Sequence, residues 1–364
     1  TWVNGKCKYC GASQAVYDRG SEAEQYAYMF IHTDNPKQFF PNMKFDVIIG
    51  NPPYQLSSNN SGIQATPLYH LFVQQAKLFH PKYISIIIPS RWFSGGMGMD
   101  EFRREMLNET RIRIMVDYPK SRDCFSGVDI AGGVCYFLWD RDYKGDCIFT
   151  SIYNKQIIKK KRKLNEYNIL IRDNIGIDIV HKVPNIKNLS AKVFSIAPFG
   201  IGTKIRGASK EFEGSIKLVS SSGNSFIPLN QVLKNQEIID KYKVIIGQLN
   251  PDRGGVNNSS DGKINVTTKI GLLYPNEVHT ATYLLLGAFS TAEEAKNFIT
   301  YVKTILVRYL ISLTLSSMHI TKDSFQFVPL QDFSHPWTDE MLYKKYGLTP
   351  EEIAFIESMI RPME

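Results

Sequence analysis

Residues 45–54, Phe-Asp-Val-Ile-Ile-Gly-Asn-Pro-Pro-Tyr, constrain this chain more than any other stretch. The first half is short, apolar and β-branched, the pattern of a buried strand in a parallel sheet. The second half cannot extend that strand. Each proline fixes φ and removes a backbone donor, so Asn51, Pro52, Pro53 and Tyr54 make a stiff turn. In an open α/β sheet the crevice beyond the carboxyl ends of the strands is where ligands bind. The Asn51 side-chain oxygen and the Pro52 carbonyl can both accept hydrogen bonds from one exocyclic amine, and Tyr54 can stack on the base that carries it. A plain strand ending in a proline turn would show the same ten letters, so the flanking sequence has to decide.

The flanks continue an α/β pattern. Residues 67–79 have helical spacing, residues 83–88 read as a second buried strand closed by Pro89-Ser90-Arg91-Trp92, residues 100–108 as a helix and residues 112–117 as a strand. Strand, helix, strand implies parallel pairing. Residues 123–139 read as a loop and a hairpin whose second strand is 134–139. Upstream, 21–31 opens with a serine cap and early acids, a helix start, and 55–65 is a polar, Gly/Ser/Asn-rich loop. Beyond Asp142 the character changes. Lys159 to Lys163 is a run of five bases, and strand-like runs at 216–219 and 243–246 are separated by Gly, Ser and Asn clusters. A long amphipathic helix is expected over 291–313, then two capped helix starts near Thr338 and Thr349. These shifts divide the chain into 1–43, an N-terminal edge, 44–150, which bears the turn, and 151–364, a second α+β domain.

A chain of 364 residues is long enough for two such domains, and 43% hydrophobic with 12% aromatic residues excludes a disordered chain. The net charge of +8 suits a polyanionic partner. No apolar run reaches the roughly 18 residues needed to span a bilayer, and no basic-then-apolar leader opens the chain. Five scattered cysteines suit a reducing compartment. Cys7 and Cys10 form one C-x-x-C pair, but a structural zinc needs four ligands and no second pair follows, so no metal is expected.

In this setting FDVIIGNPPY resembles the catalytic motif of the S-adenosyl-L-methionine-dependent N6-adenine DNA methyltransferases of restriction–modification systems. The resemblance is specific over residues 30–140 and looser beyond. It implies part of a Rossmann-like methyltransferase sheet followed by an α+β DNA target-recognition domain. It implies that Asn51 and Pro52 hold N6 of an adenine rotated out of the duplex, with Pro53 stiffening the turn and Tyr54 stacking on one face of the base. Phe125 matches the family's second stacking ring. Asp34, 17 positions before Asn51, matches an acid that hydrogen-bonds the adenine of the cofactor, which Asn51 also borders. S-adenosyl-L-methionine is the implied cofactor and double-stranded DNA the implied partner. An endonuclease or helicase region, in the same chain or a separate subunit, is the implied company, in a prokaryotic cytoplasm.

One part of the family pattern is missing. The cofactor pocket normally includes a strand running into a Gly-rich turn and a helix. The nearest stretch, Ala197 to Thr203, has its glycines too close to Phe199, an alanine for the acid and no amphipathic helix after it. The chain, which opens on Thr1, is therefore expected to be the C-terminal part of a longer enzyme or one half of a split one. Glutamine methyltransferases acting on release factors share the tetrapeptide. A protein or RNA acceptor, and a DNA-specificity module without activity, are thus the competing expectations.

Overall fold

The structure, a computed structural model, describes residues 2–8, 14, 30–55, 66–94, 98–153, 156–184, 187–249, 263–267, 269–315 and 319–363. The expected helix at 21–31 and the loop at 55–65 fall mostly outside these residues, as does Cys10. The chain is mixed α/β and divides into two compact units, residues 1–174 and 175–364.

The first unit opens with a small hairpin of β1 (Trp2–Val3) and β2 (Lys6–Cys7). Its main sheet contains β3 (Val47–Gly50), β4 (Tyr83–Pro89), β5 (Ile112–Tyr118), β6 (Val134–Asp140), β7 (Cys147–Tyr153) and β8 (Gln156–Arg162), in the order β3-β4-β6-β5-β7-β8. Neighbouring pairs β3–β4 and β5–β7 are parallel, whereas β6 runs antiparallel to both β4 and β5, and β8 to β7. The sheet is therefore mixed, not wholly parallel, and the carboxyl ends of β3, β4 and β5 lie at one end. Helices α1 (Tyr69–Leu78) and α2 (Asp100–Leu107) supply Tyr69, Val73, Ala76, Phe102, Met106 and Leu107 to a core with Ile84, Ile86 and Ile88 of β4.

Three expectations change here. Strand β3 is not buried on both faces. It is the edge of its sheet, only Ile48 turns to the core, and Val47 and Ile49 are 48% and 79% exposed. The first unit also runs past residue 150, because that position lies inside β7 and β8 still pairs with it. The basic run is consequently a strand whose side chains alternate. Lys159, Lys161 and Lys163 are exposed, while Arg162 turns inward, donates to the Ile171 carbonyl and lies 4.3 Å from the Phe149 ring centroid. Burial pushes the Arg162 guanidinium down to about 10. Cys7, the other half of the C-x-x-C pair, is buried against Ile31, Leu68 and Phe72, and no group of potential metal ligands exists among the described residues.

Helix α3 (Asn174–Lys182) leads into the second unit. One three-stranded sheet has the order β10 (Gly223–Pro228), β9 (Ser215–Ser220), β13 (Glu277–His279); another has β12 (Ile270–Leu273), β11 (Tyr242–Gly247), β14 (Tyr283–Phe289). The helix expected at 291–313 is two helices, α4 (Ala292–Lys303) and α5 (Ile305–Ser312). Thr304 adopts an extended ψ of 150° and caps α5, and the Asp339 carboxylate accepts from the free amides of Ile305 and Leu306, both at 2.9 Å. A second set of cap partners thus replaces the continuous helical ladder. The two capped starts near the end are α6 (Asp339–Tyr346) and α7 (Pro350–Met359), the latter with a full capping box between Thr349 and Glu352.

The core of the second unit contains His279, fully buried with Phe199 and Tyr283 edge-on to it. Burial pushes its imidazole down to about 4. Above the unfolded-state value near 6.5 the ring is neutral in both states and the unit keeps its full stability. As pH falls from 6.5 to 4 the unfolded chain gains a proton that the folded one refuses, so stability drops. Urea unfolding at pH 7 and pH 4.5 is expected to show a loss that shrinks by roughly 2–3 kcal/mol in His279→Leu. Equal acid sensitivity in the two proteins would contradict this assignment.

Candidate active site

The strand–turn at residues 45–54 is fastened at both ends. The Asp46 carbonyl accepts from Lys82 and Tyr83 amides, each at 2.9 Å, which registers β3 against β4. The Tyr54 carbonyl accepts the Leu68 amide at 3.0 Å and Gln55 bridges Pro67, which ties the turn to the start of α1. Between these anchors Asn51 is exposed, and Pro52, Pro53 and Tyr54 are half-buried. Parallel pairing thus ends at Gly50, and Asn51 follows it as an exposed residue.

Tyr54 packs against the core of the first unit, and its hydroxyl is buried with no hydrogen-bond partner among the described residues. Burial, then the thiols of Cys124 and Cys135, push the phenol up to about 12, so the ring is neutral at any working pH. An unpartnered hydroxyl contributes nothing that phenylalanine would lack. Tyr54→Phe is therefore expected to leave the urea unfolding midpoint unchanged or raised. If the turn holds an extruded base, as the sequence resemblance implies, Tyr54→Phe should also keep methyl transfer within roughly twofold, and Tyr54→Ala should lower it roughly 10- to 100-fold, the equivalent of the roughly 1–3 kcal/mol that stacking gives per base. Equal rates for the Phe and Ala variants would remove the ring from the site.

The segment between β5 and β6 reaches the same place. Cys124 lies close enough to perturb Tyr54, and the adjacent Phe125 is half-buried. Cys124, next to Phe125, is thus within electrostatic reach of the Tyr54 phenol. The Asp34 side chain is 80% exposed and holds the Lys8 ammonium at 3.0 Å. Asp34 and Asn51 are both exposed.

A buried polar knot at this end of the sheet had no signal in the sequence. Asp117, at the end of β5 and fully buried, accepts from Ser90 Oγ at 2.7 Å and from Arg172 Nε and a terminal guanidinium nitrogen, both at 2.9 Å. Cys135 lies beside it, its thiol pushed up to about 12 by burial and by the Asp117 carboxylate. Arg172 also lies over the Phe93 ring at 5.6 Å. The pair is 55 positions apart, and only the fold joins it.

Residues 3–125 match the family described as Eco57I restriction-modification methylase. An "uncharacterized adenine-specific methylase" of Mycoplasma pneumoniae is 35% identical over 201 residues, 50% of this chain and 48% of that protein. The chain thus spans about half the length of the curated relative it matches. Among solved structures, the type IIL restriction-modification enzyme MmeI in complex with DNA is similar at a TM-score of 0.42, with 9% identity, over 85% of this chain and 52% of that one. The type IIG restriction endonuclease BpuSI gives a TM-score of 0.36 with 11% identity, over 83% and 48%. At these scores the likeness of shape is loose. The sequence match includes the turn and the start of the segment that carries Phe125: residues 3–125 are similar to the Eco57I restriction-modification methylase family, and about half of the chain is similar to an adenine-specific methylase.

Proposed function

We propose that the intact protein methylates N6 of adenine at a specific site in double-stranded DNA, as the modification activity of a restriction–modification system. The observation that carries this reading is the Asn51-Pro52-Pro53-Tyr54 turn at the carboxyl end of a strand paired in parallel with its neighbour. An adenine inside a duplex is out of reach, so the base rotates out at a cost of a few kcal/mol. Stacking on Tyr54 and Phe125 offsets that cost. The N6 amine then donates its two hydrogens to Asn51 Oδ1 and the Pro52 carbonyl, which orients the nitrogen lone pair out of the ring plane. Pro53 keeps the two acceptors at a fixed spacing. No low-pKa base is required, because the amine can release its proton after transfer, and the contribution of the protein is mainly orientation.

S-adenosyl-L-methionine is the methyl source that the family implies. Asp34 is the residue proposed for its adenine and Asn51 the residue that borders it. The second unit is proposed as the target-recognition domain, and no helix among the described residues is long and apolar enough to cross a membrane. The exposure of Asp34 favours one second reading, a DNA-specificity module without transfer activity. A single experiment separates the readings: incubation with methyl-labelled S-adenosyl-L-methionine, unmethylated genomic DNA and a cell extract freed of nucleic acid. Label in DNA, recovered as N6-methyladenine, supports the proposal. Label in protein favours a protein acceptor, and DNA retention without label favours the module.

A further inference from the structure

We infer that Ser121 is the positioning residue that holds Phe125 in place for the extruded base, an inference that rests on the adenine-transfer reading above. The connection between β5 and β6 is exposed or half-buried except at Ser121 and Gly133. Ser121 is 2% exposed. Its hydroxyl donates to the Val128 carbonyl at 2.9 Å and accepts the Ile130 amide at 2.8 Å. Its carbonyl accepts the amides of Cys124 at 3.0 Å and Phe125 at 2.7 Å. One residue therefore closes the loop from both sides and fixes the backbone of Phe125 directly.

Inside the loop the Phe125 carbonyl also accepts the Val128 amide at 3.2 Å, and further fastenings lie towards its ends. Gly133 has φ of 78°, and a Cβ there would come within 2.2 Å of the Tyr118 carbonyl, so only glycine fits. Its own carbonyl accepts the Ser90 amide at 3.0 Å, which ties the loop exit to the turn after β4. The Arg122–Asp129 ion pair at 3.2 Å is exposed on both sides and contributes little. Ser121 is thus the internal pin. A loop ordered in advance loses no further freedom when the base arrives. Phe125 meets the base only once it has left the duplex, so loosening the loop should slow turnover and spare the initial DNA affinity.

The test compares wild type, Ser121→Ala and Ser121→Thr by hydrogen exchange and by methyl transfer from labelled S-adenosyl-L-methionine to unmethylated genomic DNA. In Ser121→Ala the amides of Phe125 and Ile130 should exchange roughly tenfold faster or more, with protection of β4 and β6 unchanged. Turnover should fall roughly tenfold while KM for DNA stays within roughly twofold. Ser121→Thr, which keeps the hydroxyl, should restore both. If Ser121→Ala loses protection throughout the sheet, Ser121→Cys replaces it, with the same loop-confined change expected. Wild-type exchange and turnover in the substituted protein would overturn the inference. Wild type that puts no label into DNA would instead overturn the adenine reading, and the base-facing role of Ser121 with it.

Discussion

Asn51→Ala in the intact protein is expected to lower N6-methyladenine formation by on the order of 10²–10³-fold, the range found when one preorganised polar contact to a reacting group is removed. The reason is geometric. Asn51 sits where parallel pairing stops, is exposed, and contributes no packing, so its loss should leave the fold within roughly 0.5 kcal/mol of wild type. DNA affinity should survive as well, because phosphate contacts elsewhere supply most of it. What disappears is one of the two acceptors that aim N6. The measurement is labelled-methyl incorporation alongside a DNA-binding isotherm and an unfolding curve. Unchanged incorporation would end the proposal that this amide orients the acceptor.

Arg172→Ala should have the largest effect on stability. Asp117 is fully buried, and the guanidinium meets both of its oxygens, leaving Ser90 as its remaining neutral partner. Removing the cation strands a carboxylate away from water, which costs on the order of 3–5 kcal/mol when no solvent reaches it. Arg172 is 28% exposed, so some water can enter and the lower figure, about 3 kcal/mol, is the expectation. Converting both residues together, Asp117→Leu with Arg172→Leu, should recover much of that loss, because no charge is then left unpaired. Urea midpoints of the two proteins decide it. A drop of less than about 1 kcal/mol in the single variant would show that the pair is solvated rather than buried.

Much of the first unit was legible from local pattern. The runs at 83–88, 112–117 and 134–139 became β4, β5 and β6, and residues 67–79 and 100–108 became α1 and α2, each within a few residues. Apolar spacing and proline turns are properties of the nearest neighbours along the chain, so they can be read without the fold. Position within the sheet cannot. The apolar run of β3 reads as central, yet it lies at an edge, and β6 is inserted between β4 and β5 because the chain turns back. The helix expected at 291–313 breaks at Thr304 because Asp339, 34 residues beyond Ile305, accepts from the first amides of its second half. The Asp117–Arg172 pair and the Ser121 hydroxyl escaped notice for the same reason. A lone Asp at a strand end or a Ser in a polar loop has no periodicity to betray it. At the candidate site, the NPPY turn and the nearby Phe125 loop were legible through their letters. The surroundings of Asp34 were not, since an acid before a proline reads alike on a surface and in a pocket.

The edge position of β3 also bears on how the chain behaves in concentrated solution. Among the described residues no strand pairs with the outer side of β3, and with Ile49 79% exposed beside it that side can template another strand. No lysine interrupts Val47 to Gly50, and the two prolines that would block such growth come only after the strand has ended. The inflexible turn proposed to aim the adenine amine therefore leaves the strand before it without a gatekeeper. Left uncovered, that strand is the part of the first unit most open to oligomer growth by sheet extension.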